Sequence, residues 1–393
     1  MPTHTITRWG PAVEAYRSKA LRQALFDESV MMEDVLIDLH GREHRDRRRI
    51  ENPLFRRDVQ LEYERVEFPE VLEAALAPHV FAGRCELLAF GHRVMLNLSC
   101  VNAGVDRVVG DEAETERLLE LLEEFIEGAR IHHYTGDRDA KIAEIAAAVD
   151  AFDAEFVGPS LRRRSALLEE GADLPRDVLS ALVSNTGLSR DVLARELAFF
   201  LTAGASTSAG ALTKTMHNVF GWLEERPGDR PRLVDDPAFV RRCILETLRL
   251  SPISPIGGRR ALEDLELGDG TVVRRGDRVD IHIESANRDP AVFGDRAHDF
   301  DPDRALPEGV PLHGLSFGHG MHHCIGQELA VGVDPDGGGF EDRLFGLVGV
   351  VVRELARHGV RPDPDDPPEW ETTTARTAFR RFPVLLGSAG DLG

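Results

Sequence analysis

Aromatic residues are scarce in this 393-residue chain: they make up 6% of it, with only 3 tyrosines. Positive charge is short as well, with 47 Lys and Arg against 68 Asp and Glu, a net charge of −21. A chain with few stacking rings and a repulsive field is not built to hold a phosphate backbone, so nucleic acid is excluded as a partner. Cysteine is limited to Cys85, Cys100, Cys243 and Cys324, widely scattered, which argues against a disulfide framework. No apolar run approaches the ~20 residues that a membrane span requires. The opening "MPTHTITRWGPAVEAYRSKA" has no apolar core of the kind a secretory leader carries. A soluble, acidic protein of the cytoplasm, with no membrane association, is the expectation.

What the chain does have is helical periodicity. Residues 111–133 place apolar side chains at three- and four-residue intervals with acids on the outer face. Residues 141–171 continue in that style, with a break expected at Gly158-Pro159. Residues 189–226 predict one unusually long helix whose centre, Ala203 to Gly210, is made of small residues. Such a centre suits a helix pressed flat against something bulky. A shorter helix over 236–252 ends at proline, and strand-like alternation follows around "GDG" and "RRGD" turns. Residues 290–314 are rich in Pro, Asp and Gly, a coil too long to be mere connection. There is no internal repeat and no clear linker, so one domain over 1–393 is expected.

The stretch "LSFGHGMHHCIGQELA", Leu315 to Ala330, sets Cys324 in a glycine-rich loop behind two histidines. Zinc needs further ligands at CxxC or HxxxH spacing, and no second cysteine is near. A nucleophile needs a base and an oxyanion hole that nothing here marks. A haem thiolate needs one sulfur only, tuned by backbone N–H groups that Gly318, Gly320 and Gly326 allow to approach. A structural cysteine in a tight turn is the plainest alternative. Upstream, "ETLR" places Glu246 and Arg249 on one helical face among Ile244, Leu245, Leu248 and Leu250. A buried pair of this kind needs a third polar partner.

Four segments in order, "AGAST", "ETLR", "ANRDPAVF…FDPDR" and "FGHGMHHCIG", carry a resemblance to the cytochrome P450 superfamily of soluble bacterial type. The resemblance implies a mainly α fold with a small β portion, the cytochrome P450 fold, N-terminally shortened. It implies haem b as cofactor and haem-binding elements at 40–50, 199–210, 244–261 and 316–328. Cys324 matches the axial thiolate and so the metal ligand, and Phe317 matches the aromatic beside it. His322, Arg259, His44 and Arg48 match the residues that hold the haem propionates. Glu246 and Arg249 match a structural pair, for which His298 is the expected third member and Arg304 a separate match. The basic run Arg42, Arg45, Arg47, Arg48 and Arg49 is either a solvated helix face or, as the resemblance implies, a docking face for an acidic ferredoxin.

Three departures stand out. Where the family carries an acid before the alcohol, this chain has Ser206 before Thr207, so the carboxylate of the proton relay is missing. His44 also arrives early, leaving little chain to cover a substrate. Residues 329–344, with Pro335 and three glycines, interrupt the helix expected after Cys324. The leading reading is a monooxygenase of bacterial secondary metabolism that activates O2 to hydroxylate or oxidatively couple a small molecule, free or carrier-protein-bound. Thr207 and Ser206 are its candidate catalytic residues, with Phe199, Phe200, Ala203, Ile253 and Ile256 as pocket lining. Ferredoxin and ferredoxin reductase are the expected electron donors. The alternatives are an enzyme using peroxide or an N–O pre-oxidised substrate, and a non-catalytic haem sensor.

Overall fold

The computed structural model describes residues 2–108, 110–333, 343–372 and 377–387. They fall into two compact units, one of residues 1–25, 72–91 and 208–393, the other of 26–71 and 92–207. No helix among the described residues is long and apolar enough to cross a membrane.

The first unit is built on a four-stranded sheet in the order Thr3–Ile6, Arg278–His282, Ile256–Ala261, Leu21–Gln23. Its first pair is parallel and the others antiparallel, with Arg259 opposite both Gln23 and Val279. Alternation along Arg278–His282 buries Val279 and Ile281 completely, and these pack with Ile6, Ala12, Ala15, Tyr16 and Leu315. Ala12, Ala15 and Tyr16 come from one face of the helix Trp9–Arg17, so helix, sheet and the start of the cysteine loop share one core. Beside it the helix Pro237–Leu250 starts on an Asp236 cap, whose side chain accepts from the Phe239 N–H, with proline in its first turn. It packs on the helix Leu347–Arg357, whose apolar face is Leu347, Val348, Val351, Val352 and Leu355.

The second unit is helical: Gly41–Glu51, Glu112–Arg130, Arg138–Phe152, Gly158–Glu169 and Val178–Asn185 are its main elements. Asp111, Asp137 and Asp177 cap three of them through their carboxylates. The expected break at Gly158-Pro159 is a wide helical turn over Asp153–Val157, after which the helix resumes. A wider hydrogen-bond spacing passes over the N–H that Pro159 lacks, so the axis continues. The predicted long helix is Arg190–Glu225, a single element that runs through both units. The proline- and glycine-rich excursion expected at 334–339 lies outside the described residues; Val333 bridges Leu344 on either side of it.

Candidate functional site

The cysteine loop is anchored from behind before it reaches Cys324. Asn287, fully buried, accepts from the Leu315 N–H (2.7 Å) and donates to the Arg249 carbonyl and to Ser316 Oγ (both 3.0 Å). Ser316 in turn donates to the Leu248 carbonyl at 2.7 Å. Gly314, with φ +60°, is required there, since a Cβ would sit 2.2 Å from Asn287 Oδ1. At Gly320, φ +71°, a Cβ would meet the Tyr16 carbonyl at 2.5 Å, which is how closely the end of the first helix presses on the loop. The Cys324 N–H then donates to the Phe317 carbonyl at 2.8 Å and closes the turn. Phe317 lies edge-on to the buried His313, ring centres 4.9 Å apart, and burial lowers the pKa of His313 to about 4.

Cys324 differs from the other cysteines in one respect: it is exposed, while Cys85, Cys100 and Cys243 are buried. Burial pushes the thiols of Cys85 and Cys100 up to about 12, and that of Cys243 up as well, so these three are inert spacers. No group of three or more His, Cys, Asp and Glu that could hold a metal occurs among the described residues. The donor set is therefore one accessible sulfur on a rigid loop, suited to a metal whose other ligands come from elsewhere. His322 is half-buried in the same loop. Arg259 is buried in its strand, donating to Gln23 Oε1 and the Gly258 carbonyl (each 2.8 Å) with its guanidinium 4.7 Å from the Tyr16 ring centre. Burial lowers its pKa.

The Glu246–Arg249 pair is buried and bidentate, at 2.7 and 2.8 Å. Its third member is Arg304, not the expected His298. Arg304 Nε donates to Glu246 Oε1 at 3.1 Å, and its other nitrogens reach the carbonyls of Phe293, Arg296 and Asp299. His298 is exposed, one residue beyond the buried Ala297 whose carbonyl accepts from Arg249 at 2.7 Å. The long coil is thus structural, because its carbonyls absorb the donors that the single carboxylate cannot.

In the second unit, His44 and Arg48 lie one turn apart on the helix Gly41–Glu51. His44 is buried, which with the charge of Arg48 and the neighbouring His40 lowers its pKa to about 4. The basic run divides: Arg42, Arg45 and Arg49 are exposed, with Arg42 and Arg49 both paired to Asp46, whereas Arg47 is buried against Glu196. On the long helix, Ala203 and Thr207 are exposed amid buried neighbours. Thr207 Oγ1 donates to the Ala203 carbonyl at 2.5 Å, leaving its lone pairs outward. Gly204 admits the Ser99 side chain, since a Cβ would lie 2.4 Å from Ser99 Oγ. Ser206 is half-buried beside it. Sequence reasoning missed Asn287, legible only as an Asn within "ANRDP", and Glu51 and Glu196, which no motif joins.

The cytochrome P450 family model matches residues 234–331, the segment from the Glu246 helix through the cysteine loop. A putative cytochrome P450 of Bacillus subtilis, YjiB, is 34% identical over 169 residues, 42% of this chain and 40% of that protein. The match thus spans about two-fifths of that relative's length. The structure of P450BioI with an acyl carrier protein ligated to hexadec-9Z-enoic acid superposes with TM-score 0.75 at 16% identity, covering 97% of this chain and 92% of that one. The LnmA cytochrome P450 hydroxylase of the leinamycin biosynthetic pathway of Streptomyces atroolivaceus gives TM-score 0.71 at 23% identity, over 97% and 89%. At such identities the structures speak for the fold, and the family model and YjiB speak for the sequence. Together they show that residues 234–331 are similar in sequence to the cytochrome P450 family and that the chain has the fold of the cytochrome P450 structures.

Proposed function

We propose that the chain is a haem-thiolate monooxygenase that inserts oxygen from O2 into, or oxidatively couples, a small organic molecule. The family's cofactor is haem b, and the residues present fit it. The carrying observation is Cys324: it is the exposed cysteine among four, on a loop whose turn is closed by its own amide. Cys324 is assigned the iron, Phe317 the packing beside the sulfur, and His322, Arg259, His44 and Arg48 the propionates. Bound there, haem supplies oxygen activation, with the thiolate donating electron density toward O–O cleavage. Thr207 Oγ1, its proton committed to the Ala203 carbonyl, offers an acceptor on the exposed strip of the helix. Ser206 offers a hydroxyl in place of a carboxylate, so protons reach this strip through water or the substrate.

The occupant of the site is assigned to secondary metabolism, a reading that LnmA's place in the leinamycin pathway supports. The substrate arrives free or on a carrier protein, as the fatty acid of P450BioI does. Electrons come from a ferredoxin and its reductase in the cytoplasm, docking near Arg42, Arg45 and Arg49. Ser206 favours one second reading, an enzyme fed peroxide or an N–O pre-oxidised substrate. The test is the ferrous carbon monoxide spectrum of the wild type and of Cys324→His. A red-shifted thiolate Soret band present in the first and absent in the second is expected. The same band in both would remove Cys324 from the iron. Turnover without O2 or reductant would select the second reading.

A further inference from the structure

The molecule buries a second charged cluster that the proposed chemistry leaves unused. Glu196 on the long helix and Glu51 on the helix Gly41–Glu51 are both 0% exposed, and Arg47, one turn before Glu51, is 8% exposed. Glu196 accepts from Arg47 through Oε2 and from the Leu36 N–H through Oε1, the latter at 2.9 Å. Glu51 has two buried carboxyl oxygens with no hydrogen-bond partner among the described residues. Two elements packed on this helix, Val178–Asn185 (VLSALVSN) and Asn52–Phe55 (NPLF), carry no titratable side chain. Of the acids nearest in sequence to Leu36, Glu33 and Asp34 are exposed and Asp38 is half-buried, a further titratable group beside the Leu36 segment. Arg48 is the remaining nearby charge.

Two carboxylates and one guanidinium cannot all be ionised here at low cost, and an ionised Glu51 without donors is the most expensive arrangement. We propose that Glu51 and Glu196 hold one proton between them and that this proton fastens the segment around Leu36 to the long helix. With it the cluster is neutral and Glu196 is free to grip both Arg47 and the Leu36 amide. Without it a second negative charge is buried beside Glu196, and the grip loosens as water enters. The electrostatics agree in direction. Burial, then the Glu196 charge, raises Glu51 well above the usual carboxylate range, and burial raises Glu196 against the pull of Arg47 and the Leu36 amide. Such a pair titrates jointly, so the proton belongs to both.

Two measurements on the cofactor-loaded protein test this. Infrared titration of the wild type, which needs no variant, should show a protonated carboxyl C=O band persisting at neutral pH. In Glu51→Gln that band should weaken, leaving only the contribution of Glu196. Hydrogen exchange of the peptide spanning 31–39, corrected for intrinsic rates, should lose protection about tenfold in the wild type as the band disappears with rising pH. In Glu51→Gln, where only Glu196 is left to titrate, protection should change less with pH than in the wild type. The absence of a protonated carboxyl at neutral pH would overturn the proposal. So would protection of Leu36 that ignores pH in the wild type.

Discussion

Two buried ionic clusters in this chain have opposite surpluses. Around Glu246, one carboxylate meets two guanidiniums, Arg249 and Arg304; around Arg47, one guanidinium meets two carboxylates, Glu51 and Glu196. Arginine does not give up its proton in proteins. The first cluster therefore has to absorb its surplus with hydrogen bonds, and the carbonyls of Asn287, Ala297, Phe293, Arg296 and Asp299 do so. Carboxylic acids can be neutralised, so the second cluster needs only a proton, and its backbone contribution is the single Leu36 amide. One is permanently set by geometry; the other is set by pH.

The largest effect should come from Glu246→Ala. It strands two arginines that cannot neutralise, and breaking a buried pair in this way costs about 3–5 kcal/mol. Urea denaturation of the cofactor-loaded protein should show that loss with little change between pH 5 and 8, because nothing left in the cluster titrates. Arg47→Met should cost less and depend on pH. At pH 5 both glutamates accept protons and the loss should be about 1 kcal/mol, whereas at pH 8 it should approach about 3 kcal/mol, as two acids are pressed to ionise with no cation beside them. A pH-dependent cost for Glu246→Ala, or a flat one for Arg47→Met, would erase the distinction between the clusters.

The contrast also explains what could be read before the structure. Glu246 and Arg249 share one helical face three residues apart, and the glycines before Cys324 mark a loop that must pass close to backbone; both are local patterns. The choice of Arg304 over His298 was not local. It depends on the coil after Pro290 folding back so that a guanidinium, rather than an imidazole, reaches Glu246, with five carbonyls turned toward the two arginines. Asn287 pins the cysteine loop across 28 residues of sequence, and only its neighbours in space reveal that. Arg47 looked like one more member of a basic surface run, because its sequence neighbours are all charged. Its burial is set by Glu196, 149 residues away, and no periodicity connects them. Short-range pattern reported the helices and the loop, while long-range charge balance stayed hidden.

The smallest expected effect carries the sharpest sign. Glu51 and Glu196 have pKa values raised in the folded protein, Glu196 to about 7 and Glu51 in the same direction, above an ordinary value of 4.5. A carboxyl raised on folding binds more protons in the native state, so its favourable contribution is complete below the unfolded value. It is lost as pH climbs through the folded one. The wild type should therefore lose stability from roughly pH 4.5 through pH 7 and beyond on account of this pair. Glu51→Gln removes one of the two titrations while keeping shape and neutrality. At pH 5 it should match the wild type, and at pH 8 it should be more stable by about 1 kcal/mol, with a shallower slope between. The corresponding change at the other cluster, Glu246→Gln, should destabilise at both pH values, since there the negative charge is what the surrounding arginines require.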